Sequence, residues 1–285
     1  MLAAAKSDAE EALDDFDRLL QAHLRFALRN AGLGFLSGLT LGKFESAPVL
    51  GATACYYRQL TRLSRALALC SDVAMLTLGG ELKRREMLSA RLGDVLSHLY
   101  LCSATLKYYQ DEGQQQEDLP YLHYAMRRAL WLAGQSLQGV FDNMRPFWVG
   151  KVLKRVLFPF GIRYRPVRDS TVNQLCSQLL QQSALRDRLT QLCFWQPEEQ
   201  DAIGRVELAF SAMLQILPLE KRVQEAQKAG RIPTRLPLDA LLQAAKQADV
   251  LTDDECAQWQ EADRLRYQAL QVDVFAPGEL EQMGC

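Results

Sequence analysis

Histidine, early proline and strand-like alternation are what this sequence has least of. The three histidines, His23, His98 and His123, lie far apart, so their spacing gives no support to a histidine-built metal centre. The seven cysteines (Cys55, Cys70, Cys102, Cys176, Cys193, Cys256 and Cys285) form no Cys-x-x-Cys pair and follow no regular interval. They read as reduced thiols of an intracellular protein rather than a disulfide or zinc framework. No apolar run comes near the roughly 20 residues that cross a bilayer. The N-terminal MLAAAKSDAEEALDD is acidic and lacks the basic-then-apolar order of a secretory signal. The expected location is therefore the cytoplasm. A formal net charge of −1 supplies no overall attraction to nucleic acid. Gly32-x-Gly34-x-x-x-Gly38 has no strand before it, so it lacks the βαβ setting of a dinucleotide loop.

What is present is helical periodicity, and it predicts an all-α fold: long antiparallel helices in a bundle, then shorter helices. Ser7 and Glu10 suit a capping box ahead of a helix to about Ala31. Its apolar face would hold Leu13, Phe16, Leu20, Leu24, Ala27 and Ala31, with Asp14 and Arg18 paired outside. Gly32 to Pro48 reads as a glycine-rich connector in which Gly34, Gly38 and Gly42 would let helices approach closely. A second helix is expected over Gly51–Leu78, ended by Gly79 and Gly80. A third, to about Tyr109, carries Leu88, Leu92, Val95, Leu99, Cys102 and Leu106 at alternating spacings of three and four. Only Pro48 precedes residue 120, whereas nine prolines follow. The expected organisation is a bundle over 1–113 and a helical extension over 114–285. The extension would hold helices from Pro120 to about Met144 and near 147–158, 170–193, 198–216, 218–229 and 238–248. Thr252 and Glu255 form a second capping-box pattern, opening a last helix through Gln271, with an extended tail after Asp273.

No set of reacting groups emerges. Arg91, Asp94 and His98 share one helical side, and Asp94 could orient His98 as a base, but no nucleophile accompanies them. A structural polar ladder is the favoured reading. Gly79-Gly80 followed by Lys83, Arg84 and Arg85 offers donors and cations to a phosphate. Glu81 and Glu86 in the same segment offset that charge and favour a helix–helix turn. From Arg145 to Arg168 the chain holds seven cations (Arg145, Lys151, Lys154, Arg155, Arg163, Arg165 and Arg168) and no acid. Phe147, Trp148, Phe158, Phe160 and Tyr164 are interleaved with them. This pattern suits a helix in a membrane interface, with Arg145, Trp148, Lys151, Lys154 and Arg155 as the surface contacts. The competing reading is a core-packed helix whose basic side pairs with acids elsewhere. RNA binding has less support, because no nucleic-acid-binding fold accompanies the basic stretch.

The wording of the chain also resembles a family. YYRQLTRLSRALALCSDVAMLTLGG (Tyr56–Gly80), ELKRREMLSARLGDVLSHLYLCSATLKYYQDEG (Glu81–Gly113), DLPYLHYAMRRAL (Asp118–Leu130), VLFPFGIRYRPVRD (Val156–Asp169) and QVDVFAPGEL (Gln271–Leu280) resemble the C-terminal region of the large bacterial acyl-CoA dehydrogenases of fatty-acid β-oxidation. The likeness spans essentially the whole chain and is looser between Gln174 and Leu251. It implies an enzyme that uses FAD to oxidise a long-chain acyl-CoA to the trans-2-enoyl-CoA, with a glutamate as base and an electron-transfer acceptor. In the family the base and the flavin- and CoA-binding segments precede the matched region. No catalytic residue therefore carries over to this sequence, and the chain alone is expected to be inactive and to bind no FAD. The resemblance implies a C-terminal portion or truncated frame of such an enzyme, with contact to the inner face of the plasma membrane and a homo-oligomer left open. The alternative is a stand-alone, non-enzymatic helical module for interaction or for a membrane surface.

Overall fold

The computed structural model describes residues 9–271 apart from 195 and 197. Among the described residues the fold is all-helical, with ten α-helices and no strand. The long helices come first: α1 (Ala9–Leu39), α2 (Ala54–Leu78), α3 (Glu86–Asp111) and α4 (Leu119–Asn143). Shorter ones mostly follow: α5 (Phe147–Leu157), α6 (Asp169–Leu179), α7 (Ala184–Thr190), α8 (Ala202–Lys228), α9 (Leu238–Gln247) and α10 (Asp253–Leu270). The chain forms two compact units, Met1–Leu180 and Gln181–Cys285.

In the first unit α3 lies along α4, α2 packs on α1 and α3, and α5 packs on α4 and α1. All six predicted stripe residues of α3, from Leu88 to Leu106, are buried. They meet Leu63, Cys70 and Ala74 of α2, and Met126, Leu137 and Val140 of α4. Gly79 ends α2 with a positive φ of 51°. A 3-10 turn over Gly79–Arg84 then delays the start of α3 to Glu86. Cys70 and Cys102 sit in this core, where burial pushes both thiols up to about 12. We expect a thiol reagent to modify the exposed Cys55, Cys176 and Cys193 at once, and Cys70 and Cys102 only as fast as the core opens. Mass spectrometry of timed reactions would show both classes; prompt labelling of Cys70 would contradict the packing.

The expectation for α1 is corrected. The helix continues through Gly32 to Leu39, and the loop begins only at Thr40. Two of the glycines serve close approach. A Cβ on Gly34 would lie 2.9 Å from Leu157 Cδ2, and one on Gly38 would lie 2.7 Å from the Leu157 carbonyl oxygen. Contact with α5 thus offsets the roughly 1 kcal/mol that each helical glycine costs. Ser37 and Gly38 are buried and Ala27 and Ala31 half-buried, so the inner seam of α1 is built from small side chains. Leu13, Phe16, Leu20 and Leu24, read from sequence as the core face, are exposed. Arg18 pairs with Asp15 at 2.9 Å rather than with Asp14. The capping-box pattern at Ser7 lies outside the described residues.

In the second unit α8 packs on α10, with α9 also against α10. Ile216, Leu219, Val223, Leu242, Ala245, Trp259 and Ala262 form its core. The Thr252–Glu255 capping box is present in full at the start of α10. Two boundaries differ from expectation. The helix expected over 170–193 breaks between α6 and α7, and Ser183 caps α7 by accepting from the Arg186 amide at 3.3 Å. The break expected before residue 218 is absent, because α8 runs through Pro218. Ile216 and Leu219 are buried on either side of that proline, and their shared core holds the helix continuous. The tail after Asp273 lies outside the described residues.

By length and composition alone α2, with the turn that follows it, and α8 are apolar enough to cross a membrane, which corrects the reading that no such run exists. Their buried residues, Leu63, Cys70 and Ala74 in α2 and Ile216 and Val223 in α8, belong to the two cores.

Candidate functional site

The basic aromatic segment separates into two places. On α5, Val149, Leu153 and Leu157 turn inward and Gly150 meets α4, so the apolar stripe belongs to the core and not to lipid. What remains outside is Arg145, Phe147, Trp148, Lys151, Val152 and Arg155. Trp148 is 65% exposed, enough to present its ring to an interface. The Arg145 guanidinium lies 3.4 Å from the centroid of the Phe147 ring. Lys154 is half-buried beside Trp131, Gln135 and Gln138. Among the described residues no carboxylate pairs with Arg145, Lys151, Lys154 or Arg155. The helix is core-packed, as the competing reading had it, while its cations stay unpaired.

The remaining cations of the segment follow α5. Arg163, Arg165 and Arg168 line a cleft of about 640 Å³ together with Arg127 of α4. Tyr164 lies at its wall, donating to Gln59 Oε1 at 2.8 Å. Burial pushes the Tyr164 phenol up to about 12, against the pull of Arg62. Arg62 is itself buried, 4.7 Å from the Phe158 ring centroid. Loss of solvent holds its pKa down, with a smaller contribution from Arg163. Nearby, Tyr56 of α2 and His123 of α4 share a hydrogen bond of 2.7 Å. Burial lowers the pKa of His123, and the Arg127 charge lowers it further.

The other sequence candidates do not converge on chemistry. Arg91 packs across Gly139 of α4, Asp94 is exposed, and no hydrogen bond joins Asp94 to His98 among the described residues. His23 lies 3.6 Å from Asp72 and His123 is held by Tyr56. Among the described residues no three metal-ligating side chains come together. In the Gly79–Arg84 turn the cations are partly absorbed, since Arg85 pairs with Glu81 at 3.2 Å. Arg84, Arg85, Arg91 and Arg145 line a cleft of about 480 Å³ with Glu86 among them. Glu86 is exposed to solvent among these arginines and is not a base facing an apolar slot. Sequence reasoning missed Arg127, because helical periodicity marks it only as an outer position of α4, and the fold alone carries Arg163–Arg168 to it.

The class defined by this structure is a helical domain with a tightly packed core, unpaired basic surfaces and no assembled reacting set among the described residues. The sequence matches the family of bacterial-type acyl-CoA dehydrogenase C-terminal domains over residues 1–275, and the chain belongs to that family. It is part of an acyl-CoA dehydrogenase, a family dependent on FAD. No solved structure matches it.

A flavin needs donors for its diphosphate and a flat slot for its ring beside a base. The arginine clefts could supply the first requirement. Glu86, exposed among guanidiniums, does not supply the second. The described residues therefore do not fit the cofactor, and no step of its chemistry is assigned to them.

Proposed function

We propose that this domain is the structural and membrane-facing part of an enzyme that oxidises long-chain acyl-CoA to trans-2-enoyl-CoA in fatty-acid β-oxidation. Flavin, the glutamate base and the acyl-CoA site belong to other parts of the same enzyme, which passes electrons to a separate acceptor. The enzyme works in the cytoplasm, at the inner face of the plasma membrane, with the α5 surface against anionic lipid.

The observation that carries this reading is the outer side of α1. Leu13, Phe16, Leu20, Leu24 and Leu28 are all between 44% and 73% exposed. They occupy a helix about 46 Å long at 1.5 Å per residue. Large contiguous apolar faces on soluble domains are interaction sites, because leaving them in water costs about 25 cal/mol per Å². In a domain of this family, the partner that fits is the flavin-bearing remainder of the dehydrogenase.

The test measures flavin and activity together. The whole enzyme is expected to be yellow and to reduce an electron acceptor when given a long-chain acyl-CoA. The isolated chain should bind no stoichiometric FAD, and finding it there would overturn this division of labour. Leu20→Glu with Leu24→Glu should leave the helicity of the isolated chain unchanged yet lower whole-enzyme activity. Unchanged activity in that double variant would remove α1 as the docking face.

A further inference from the structure

We infer that the cleft between α4 and the segment after α5 is a binding site for a small multiply phosphorylated molecule, with Arg127, Arg163, Arg165 and Arg168 as its phosphate ligands. This goes beyond the enzyme reading and does not rest on it. Four arginines line one space of about 640 Å³, and no carboxylate lies in its lining. That size lies within the usual range for small-molecule pockets.

Neutral groups hold Arg163 without cancelling its charge. Arg163 lies over the Phe160 ring at 5.5 Å, with its Nε donating to the Phe160 carbonyl at 3.4 Å. Among the described residues no ion pair engages Arg165 or Arg168. Asp169, the nearest acid in sequence, opens α6 and is exposed outside the lining.

The surplus positive charge reaches neighbours as a smaller addition to burial, Arg127 lowering His123 further and Arg163 lowering Arg62 further. Four exposed arginines around one space leave a local surplus of positive charge that an anion would neutralise. The planar fork of arginine matches phosphate oxygens two at a time. Tyr164 and Thr171, also in the lining, add a ring edge and a hydroxyl for the rest of such a ligand. Four cations outnumber the charge of a singly charged anion, so a diphosphate or bisphosphate is the fitting class.

Calorimetric titration of the full chain with inorganic diphosphate, adenosine 3′,5′-bisphosphate and orthophosphate tests this. Vesicles of phosphatidylglycerol form a separate arm. The first two probes should bind at one site, orthophosphate at least about tenfold more weakly. Arg165→Gln with Arg168→Gln, both at exposed positions, should weaken diphosphate by about tenfold or more. Lys151→Gln should leave it unchanged. If the double variant loses helical circular dichroism, either single substitution reads the same loss. Absence of diphosphate binding, binding that survives the substitutions, or binding to vesicles alone would each overturn the inference.

Discussion

Gly150→Ala is expected to destabilise the first unit by about 3 kcal/mol or more, since an added methyl group there meets backbone at closer range than at any other described glycine of that unit. A Cβ at this position would lie 1.9 Å from the Phe141 carbonyl oxygen and 2.9 Å from its carbonyl carbon. Both atoms are backbone of the last turns of α4, so no side chain can swing aside. Met144 Cβ, at 3.3 Å, closes the third direction. Only separation of α5 from α4 relieves the clash, and that would expose Val149, Leu153 and Leu157. For a unit of this size each kcal/mol moves the melting temperature by roughly 2–4 °C. The expected fall is therefore roughly 6–12 °C. Gly161→Ala is a useful contrast, since no atom lies near its Cβ although its φ is +77°. It should cost about 1 kcal/mol through the backbone alone. A melting temperature for Gly150→Ala within a degree or two of the parent would show that α5 does not pack against α4 this closely.

Neutralising the outward cations of α5 should nearly abolish binding to anionic vesicles. A basic residue close to such a surface contributes about 1 kcal/mol. Lys151→Gln with Arg155→Gln therefore predicts roughly a thirtyfold loss in affinity. Lys154 is half-buried against α4, so Lys154→Gln alone should matter much less than either exposed neighbour. The apolar side of α5 is occupied by the core, so no deep insertion of that stripe supplements the charge. Binding should accordingly fall steeply between low and physiological salt. Trp148→Ala should weaken what remains at high salt, because its ring is the main exposed apolar group on this surface. Vesicle flotation across salt concentrations measures all of this. Equal binding by the parent and the double variant at low salt would remove the electrostatic contact.

The parts of this domain legible from sequence are those where one period and one burial pattern coincide. The α3 stripe from Leu88 to Leu106 is such a case, since it packs against neighbours within the same unit. The Thr252–Glu255 cap is another, because its hydrogen bonds are local. The α1 helix was harder because it has two sides of different character. Its large apolar residues form the stronger periodic signal but face out, while small ones such as Gly34 and Gly38 make the contact with α5. Glycine spacing suggested close approach correctly, and glycine's poor helix propensity suggested a loop wrongly. Pro218 misled for the parallel reason that tertiary packing outweighed a local rule. The family was readable from the wording of the chain, whereas the four-arginine cleft was not. Its members lie on α4 and on an irregular segment after α5, and only folding gives them a common space.

The glycine contact between α1 and α5 has a mechanical consequence. At Gly38 the backbone of α1 rests directly on the Val156 and Leu157 carbonyls at the end of α5, while Gly34 seats against the Leu157 side chain. Side chains can absorb small displacements by changing rotamer, but backbone seated on backbone cannot. A protein surface pressing on the outer residues of α1 would shift the seat on which α5 rests, and with it the height of Lys151 and Arg155. The two exposed faces of the domain are thus joined by a stiff strut, and what docks on one fixes how the other is presented.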